Sequence, residues 1–93
     1  MSQVRYARKA YADLRAIGVY TLTEWGIDQA EKYLDDLHEN CLLIAEHPLI
    51  GRPCSPAHPK WMRLEYESHV ILYSVTRLGV TVQRILHQRQ LLS

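Results

Sequence analysis

Ser68-His69-Val70-Ile71-Leu72-Tyr73, a turn at Leu78-Gly79, then Arg84-Ile85-Leu86-His87-Gln88 is the stretch on which the fold turns. Val, Ile, Tyr and Thr dominate two runs separated by a short connection, the make-up of half-buried strands joined as a hairpin. A third short run precedes them, so strands are expected at about Trp61–Tyr66, His69–Val75 and Gly79–Leu86. Connections of two to four residues imply an antiparallel meander. Upstream, four prolines and Gly51 fall between Pro48 and Pro59, which predicts an extended loop.

The first half of the chain has a different period. Val4-Arg5-Tyr6 is short and extended in character, after which Ala10, Leu14, Ile17, Thr21 and Trp25 recur every three or four residues, as on one face of a helix. Gly26 stops that helix. Asp28, with Glu31 three residues on, fits a capping box for a second helix running to about Glu46, where Pro48 ends it. Its apolar face is Ala30, Tyr33, Leu34, Leu37, Cys41, Ile44 and Ala45. The expected architecture is therefore α+β: an N-terminal helical hairpin packed on one face of a small antiparallel β-sheet, as a single domain over residues 1–93.

Ninety-three residues bury roughly 60–65% of their unfolded surface, enough for one core with a thin stability margin. No apolar run approaches the ~18 residues of a membrane span and none follows the basic N-terminus as a signal peptide would, so a cytoplasmic protein with no membrane partner is expected. Cys41 falls on an apolar helix face and reads as a small core residue; Cys54 reads as a free thiol in the loop. Residues 1–50 hold five basic and eight acidic side chains, residues 51–93 six and two, so the second half is basic by +4. From Ser68 onward there is no acid against Arg77, Arg84 and Arg89. That half should attract acidic segments or phosphates.

Most enzyme classes lack their signatures here. The histidines at positions 38, 47, 58, 69 and 87 form no i, i+4 pair, so neither a metal site nor a cofactor is expected. No phosphate-cradling glycine loop or nucleophile elbow is present. Arg63, Arg84, His87 and Arg89 would converge if their strands were neighbours, with Glu46 as a base. Such a set has the chemistry of metal-independent RNA cleavage: a base for the 2′-hydroxyl, cations for the phosphorane and an acid for the leaving oxygen. Arg84 and His87 are three apart and point to opposite faces of a straight strand, so convergence needs a bulge or strand end near Leu86. On spacing alone the simpler reading is arginines on an exposed sheet face, with His87 closing the last turn. His69 reads as a buried histidine bonded to a neighbouring carbonyl. Trp61, between loop and strand, is the aromatic best placed for contact with a partner.

The pieces acquire specificity in combination. Asp13-Leu14-Arg15-Ala16-Ile17, Tyr20-Thr21 and Trp25-Gly26-Ile27-Asp28-Gln29-Ala30 resemble the helical half of the ParE-type toxins of the RelE/ParE superfamily, which includes plasmid stabilisation proteins. So do Ala45-Glu46-His47-Pro48-Leu49-Ile50-Gly51-Arg52-Pro53-Cys54, the run from Ser68 to Tyr73, and the closing Arg84-Ile85-Leu86-His87-Gln88-Arg89. The resemblance implies the toxin of a type II toxin–antitoxin pair, bound in a hetero-oligomer by a cognate ParD-like antitoxin. It implies DNA gyrase as target, without sequence-specific DNA binding by this chain.

On this reading the target-binding surface is Arg63, Arg77, Arg84, His87 and Arg89, and the antitoxin-binding residues are Leu22, Leu42, Trp61 and Arg84. The alternatives are a RelE-like ribosome-dependent mRNA endoribonuclease using Glu46, Arg63, Arg84 and His87, or a degenerate toxin that only binds its antitoxin. The modest pI of 7.8 favours the gyrase branch over the strongly basic nucleases. Departures from the ParE pattern stand at Glu67, Leu72 and the short Gln90-Leu91-Leu92-Ser93 ending.

Overall fold

The computed structural model describes residues 3–91. In chain order it contains β1 (Gln3–Tyr6), α1 (Arg8–Trp25), α2 (Ile27–Glu46), β2 (Arg52–Ser55), β3 (His58–Tyr66), β4 (His69–Thr76), β5 (Gly79–His87) and α3 (Gln88–Leu91). The strands form one sheet in the order β1-β5-β4-β3-β2. The α+β class and the helical hairpin on one sheet face are as expected. The sheet is mixed rather than a purely antiparallel meander, because the N-terminal strand adds parallel to β5, with Gln3 opposite Gly79 and Tyr6 opposite Val82. Gly79 is required there: it takes a positive φ, and a Cβ would strike the Gln3 backbone.

Two further expectations are corrected. Residues 52–55 and 58–60 belong to strands, although their prolines signalled a loop. β2 is the sheet edge, and an edge strand tolerates Pro53 because one side of its backbone needs no ladder bond. Cys54 thus lies in β2, partly exposed and free, while Cys41 is buried in the core. The Asp28 capping box does not form. Gly26 alone joins the helices: its N–H donates to Leu22 O (3.0 Å), and its carbonyl accepts from Ala30 N (3.0 Å). Its φ of 91° is one that glycine adopts without strain.

The core lies between the hairpin and the sheet. Ala10, Ile17, Leu37, Cys41, Ile44 and Ala45 from the helices meet Ile71, Tyr73, Val80, Val82 and Ile85 from the central strands. Val70 and Leu72, also buried, alternate onto the opposite face. Tyr73 is fully buried, yet its hydroxyl donates to Pro48 O (2.8 Å) and accepts from Gly51 N (3.0 Å). It therefore pins the turn after α2. A Cβ at Gly51 would collide with that hydroxyl and with the Arg63 carbonyl, which accounts for the glycine in the Pro48-Leu49-Ile50-Gly51 run.

The register slips between Leu72 and Tyr73, which pair with Arg84 and Val82, leaving Gln83 as an extra residue in β5. Beyond Tyr6, β1 leaves the sheet and exposes the edge of β5. Asp13 on α1 closes that gap. Its carboxylate accepts Arg84 Nε (2.8 Å) and Nη2 (3.0 Å) and also the Ile85 backbone N–H (2.9 Å). Fork-on-carboxylate geometry in a half-buried site makes this the strongest polar contact between helix and sheet.

Asp13→Ala leaves a half-buried guanidinium and an edge N–H unpaired, and should lower unfolding free energy by about 2–4 kcal/mol in a urea titration. Adding Arg84→Met should recover part of that loss. Tyr73→Phe should cost about 1 kcal/mol, and Gly51→Ala about 1–3 kcal/mol through the forced shift of the turn.

Candidate functional site

His69 and His87 face each other across β4 and β5, in register. Gln88 N–H donates to Ser68 O (2.9 Å) just beyond them, which makes the histidines a non-hydrogen-bonded pair, the closer of the two antiparallel types. Their rings meet edge to face with centroids 5.4 Å apart. The bulge at Gln83 turns His87 onto the helix side together with Ile85, but it precedes Arg84 as well, and the register from Arg84 to His87 is regular, so those two side chains remain on opposite faces and do not converge.

The surrounding shell is polar and ordered. Tyr33 on α2 hydrogen-bonds His69 Nδ1 through its hydroxyl (2.6 Å), in place of the backbone carbonyl expected from sequence. Burial pushes the Tyr33 phenol up, so it keeps its proton and serves as donor, which leaves the neutral His69 ring protonated on Nε2. Tyr66, tilted against Tyr33 at 5.5 Å, donates to Asp36 Oδ2 (2.8 Å), which also pairs with Lys32 (3.0 Å). At His87, Nδ1 accepts the Arg89 N–H (3.1 Å) and the backbone N–H donates to Gln90 Oε1 (2.8 Å). Gln88 Nε2 reaches the Glu67 carbonyl (3.1 Å). The one-turn α3 is thereby stitched to the β3–β4 turn, with Arg89 beside both imidazoles.

These groups open into a groove of about 990 Å³ between the overhanging end of the helical hairpin and the end of the sheet. Ile17, Tyr20, Thr21 and Trp25 line its helix wall; His69, His87 and Arg89 line the other, with Tyr33 between them. Trp25, expected in the core, is 71% exposed, because α1 outruns the sheet by its last turn. The signal for this wall was the helical period itself, read one turn too far inward.

The structure does not assemble the other residues singled out from sequence. Arg52, Arg63, Leu72 and Arg84 form one cross-strand row, but Glu65 pairs with both Arg52 and Arg63 (3.2 Å to the latter), and Asp13 holds Arg84. Arg77 lies in the turn at the far end of β4, about 23 Å along the strand from His69. Glu46 ends α2, thirteen residues and about 20 Å beyond Tyr33. His87 and Arg89 are thus the only members of that set that line the groove. Leu22 and Leu42 are exposed on the hairpin, and Trp61 is half-buried and stacked on His58 at 4.1 Å. Among the described residues, no group of three His, Cys, Asp or Glu side chains is placed to hold a metal, and no helix is long and apolar enough to cross a membrane.

Comparison with known proteins agrees with this geometry. Residues 4–92 match the family model described as the ParE toxin of the type II toxin–antitoxin system parDE. The chain is 42% identical over 81 residues to Toxin ParE1 of Mycobacterium tuberculosis, covering 86% of this chain and 83% of that one. It is 39% identical over 90 residues to Toxin ParE1 of Caulobacter vibrioides, covering 95% and 91%. Among solved structures it is similar to a chain of the chromosomal ParDE system of P. aeruginosa, with a TM-score of 0.79 and 25% identity over 94% of this chain and 96% of that one. A chain of the RelBE2 toxin–antitoxin complex of Mycobacterium tuberculosis shares the fold, with a TM-score of 0.71 and 18% identity over 92% and 96%.

His69 lies below the usual imidazole range, first because burial disfavours its cation and second because His87 repels it. The unfolded chain takes up this proton near pH 6.5, whereas the folded one resists it. Stability is therefore full above that pH and is lost as pH falls through the folded value. Urea midpoints should drop as pH falls below about 6.5, and His69→Gln should flatten that part of the profile. A profile unchanged by the substitution would assign the sensitivity to other groups.

Proposed function

This chain belongs to the ParE toxin family of type II toxin–antitoxin systems, and we propose that it is restrained by a cognate ParD-like antitoxin and, when released, acts on DNA gyrase in the cytoplasm to block replication. The observation that carries a binding rather than a catalytic mode of action is the state of its arginines. Metal-independent RNA cleavage needs cations free to meet a phosphorane and a base within reach of the same atom. Arg84 is committed to Asp13, Arg63 shares Glu65 with Arg52, and Glu46 stands about 20 Å along α2 from the histidine pair. The side chains left to meet a target are His87 and Arg89 at the groove, with Arg63 and Arg77 as outlying contacts. Arg84 contributes by holding β5 in place.

Antitoxin contact is assigned to the exposed apolar residues of the hairpin, Leu22 and Leu42, and to Trp61. Exposed side chains of this size on a free domain are suited to burial under a partner that folds onto them. One observation favours the ribonuclease reading: two imidazoles and Arg89 share one groove, which is an acid–base pair with a cation beside it.

Induced expression decides between the two. The expected result is growth arrest with altered DNA supercoiling and continuing translation, lost on His87→Ala combined with Arg89→Glu while the circular dichroism of the domain is retained. Immediate loss of translation, abolished about 10²–10⁴-fold by His87→Ala alone, would establish RNA cleavage instead. Arg84→Glu should abolish arrest for a different reason: it sets two carboxylates against each other at Asp13 and unfolds the protein.

A further inference from the structure

The helical hairpin has an outer face as well as the one it lays on the sheet. On α1, Arg8, Ala12, Arg15 and Val19 follow at spacings of four and three, opposite the buried Ala10, Ile17 and Thr21, and all four are exposed. Small Ala12 leaves a shallow hollow there, bordered by Arg8, Tyr11, Arg15 and Val19. Tyr11 and Val19 are 61% and 60% exposed, so the basic row runs beside uncovered apolar surface. On α2, Asp35, Glu39, Leu42 and Glu46 are exposed at the same spacing, opposite the buried Leu37, Cys41 and Ile44. Among the described residues, the side chains of Arg8, Arg15, Asp35, Glu39 and Glu46 make no hydrogen bond or ion pair. Two of them also stand where the helix dipole disfavours them: Arg8 opens α1 and Glu46 closes α2.

The two rows match in height. Counted from Gly26 along the helices, Arg8 stands at about 27 Å and Glu46 at about 30 Å, while Arg15 stands at about 16 Å between Asp35 at about 14 Å and Glu39 at about 20 Å. The hollow at Ala12 lies at about 21 Å and Leu42 at about 24 Å. Within one chain the rows lie side by side on neighbouring helices and do not pair. We propose that this outer face binds a second copy of the chain, as a closed dimer whose two-fold axis runs along the seam between α1 and α2. Such an axis sets α1 of one copy on α2 of the other at equal height. Arg8 then meets Glu46, Arg15 meets Asp35 and Glu39, and Leu42 of the second copy enters the hollow at Ala12. An axis across the helices would set arginine on arginine and acid on acid, and that repulsion decides against it. The face is about 27 Å long and about 20 Å, or two helix diameters, wide, so a pair of copies buries on the order of 1,000 Å², the lower end of specific interfaces. The dimer is therefore weak and salt-sensitive. It is a state of the free chain, because Leu42 is also assigned to the antitoxin.

The test is sedimentation equilibrium of the purified full chain, without antitoxin, from about 1 to about 200 µM. The wild type should show a reversible monomer–dimer equilibrium with Kd on the order of 10 µM, weakened severalfold by about 0.5 M salt. Arg15→Glu and Glu39→Arg, both at exposed positions outside the core, should each raise Kd about tenfold. Mixing these two variants should bring Kd back to within about threefold of the wild type. In the mixed dimer one contact keeps Arg15 against Glu39, and the other holds the same pair of charges exchanged. Lys60→Glu, on β3 and away from the hairpin, should leave Kd within about twofold. A monomer across the whole range would overturn the proposal. A dimer indifferent to both hairpin variants would overturn it by lying on another face. Weakening by each variant without recovery on mixing would overturn the pairing of α1 with α2. Oligomers that keep growing with concentration would replace the closed dimer with an open, head-to-tail contact. A monomeric wild type that binds purified antitoxin or a single-stranded oligonucleotide, and loses it in Arg15→Glu, would give the basic row to that partner instead.

Discussion

Asp13 is the joint on which the two halves of the molecule depend. A single carboxylate accepts three N–H groups, two from Arg84 and one from the Ile85 backbone. It stands where β1 has left the sheet and the edge of β5 would otherwise present unpaired donors to the underside of a helix. A buried edge without partners is costly, and a cation there without a counter-charge is more so. By meeting both needs, Asp13 fixes how α1 crosses the sheet. That crossing decides where the last turn of α1 overhangs, and the overhang makes one wall of the groove. The bulge at Gln83 is the matching adjustment in the strand, bringing Arg84 to Asp13 and His87 to the helix side.

Much of this was legible in the chain because it rests on local periodicity. The helices show as a three-to-four spacing and the strands as β-branched runs, and the burial of Leu37, Cys41, Ile44, Ile71 and Val82 follows from them. What was not legible rests on pairing over long separations. Nothing near Val4 says that it will lie parallel to Val80, and nothing near Arg84 says that its partner is seventy-one residues upstream. The prolines at 53 and 59 misled for a related reason. Whether a proline interrupts a strand depends on whether that strand has a neighbour on each side, which is a property of the sheet and not of the segment.

The site followed the same division. His87 and Arg89 were visible as a basic, histidine-bearing tail on an acid-poor half. Arg63, Arg77 and Arg84 belonged to the same charge count, but charge counted along a chain is blind to partners. Glu65, two residues on in the same strand, pairs with Arg63, Asp13 pairs with Arg84 from α1, and Arg77 lies at the wrong end of its hairpin. His69 was read as structural and is, through Tyr33, yet it also faces the groove. Trp25 was read as core because a helix period carries no mark of where the opposing sheet stops.

The parallel pairing of β1 with β5 has a bearing on how the protein comes into being. Residues 3 to 6 must find residues 79 to 82, so the first strand made is completed only by the last. At a synthesis rate of about 5–20 residues per second, Gln3 waits roughly 4–15 s before Gly79 exists. During that interval the hairpin has no finished sheet beneath it and Asp13 has no Arg84. A partial chain on the ribosome is therefore not a smaller version of the finished one. Premature termination before β5 yields a product with no groove at all.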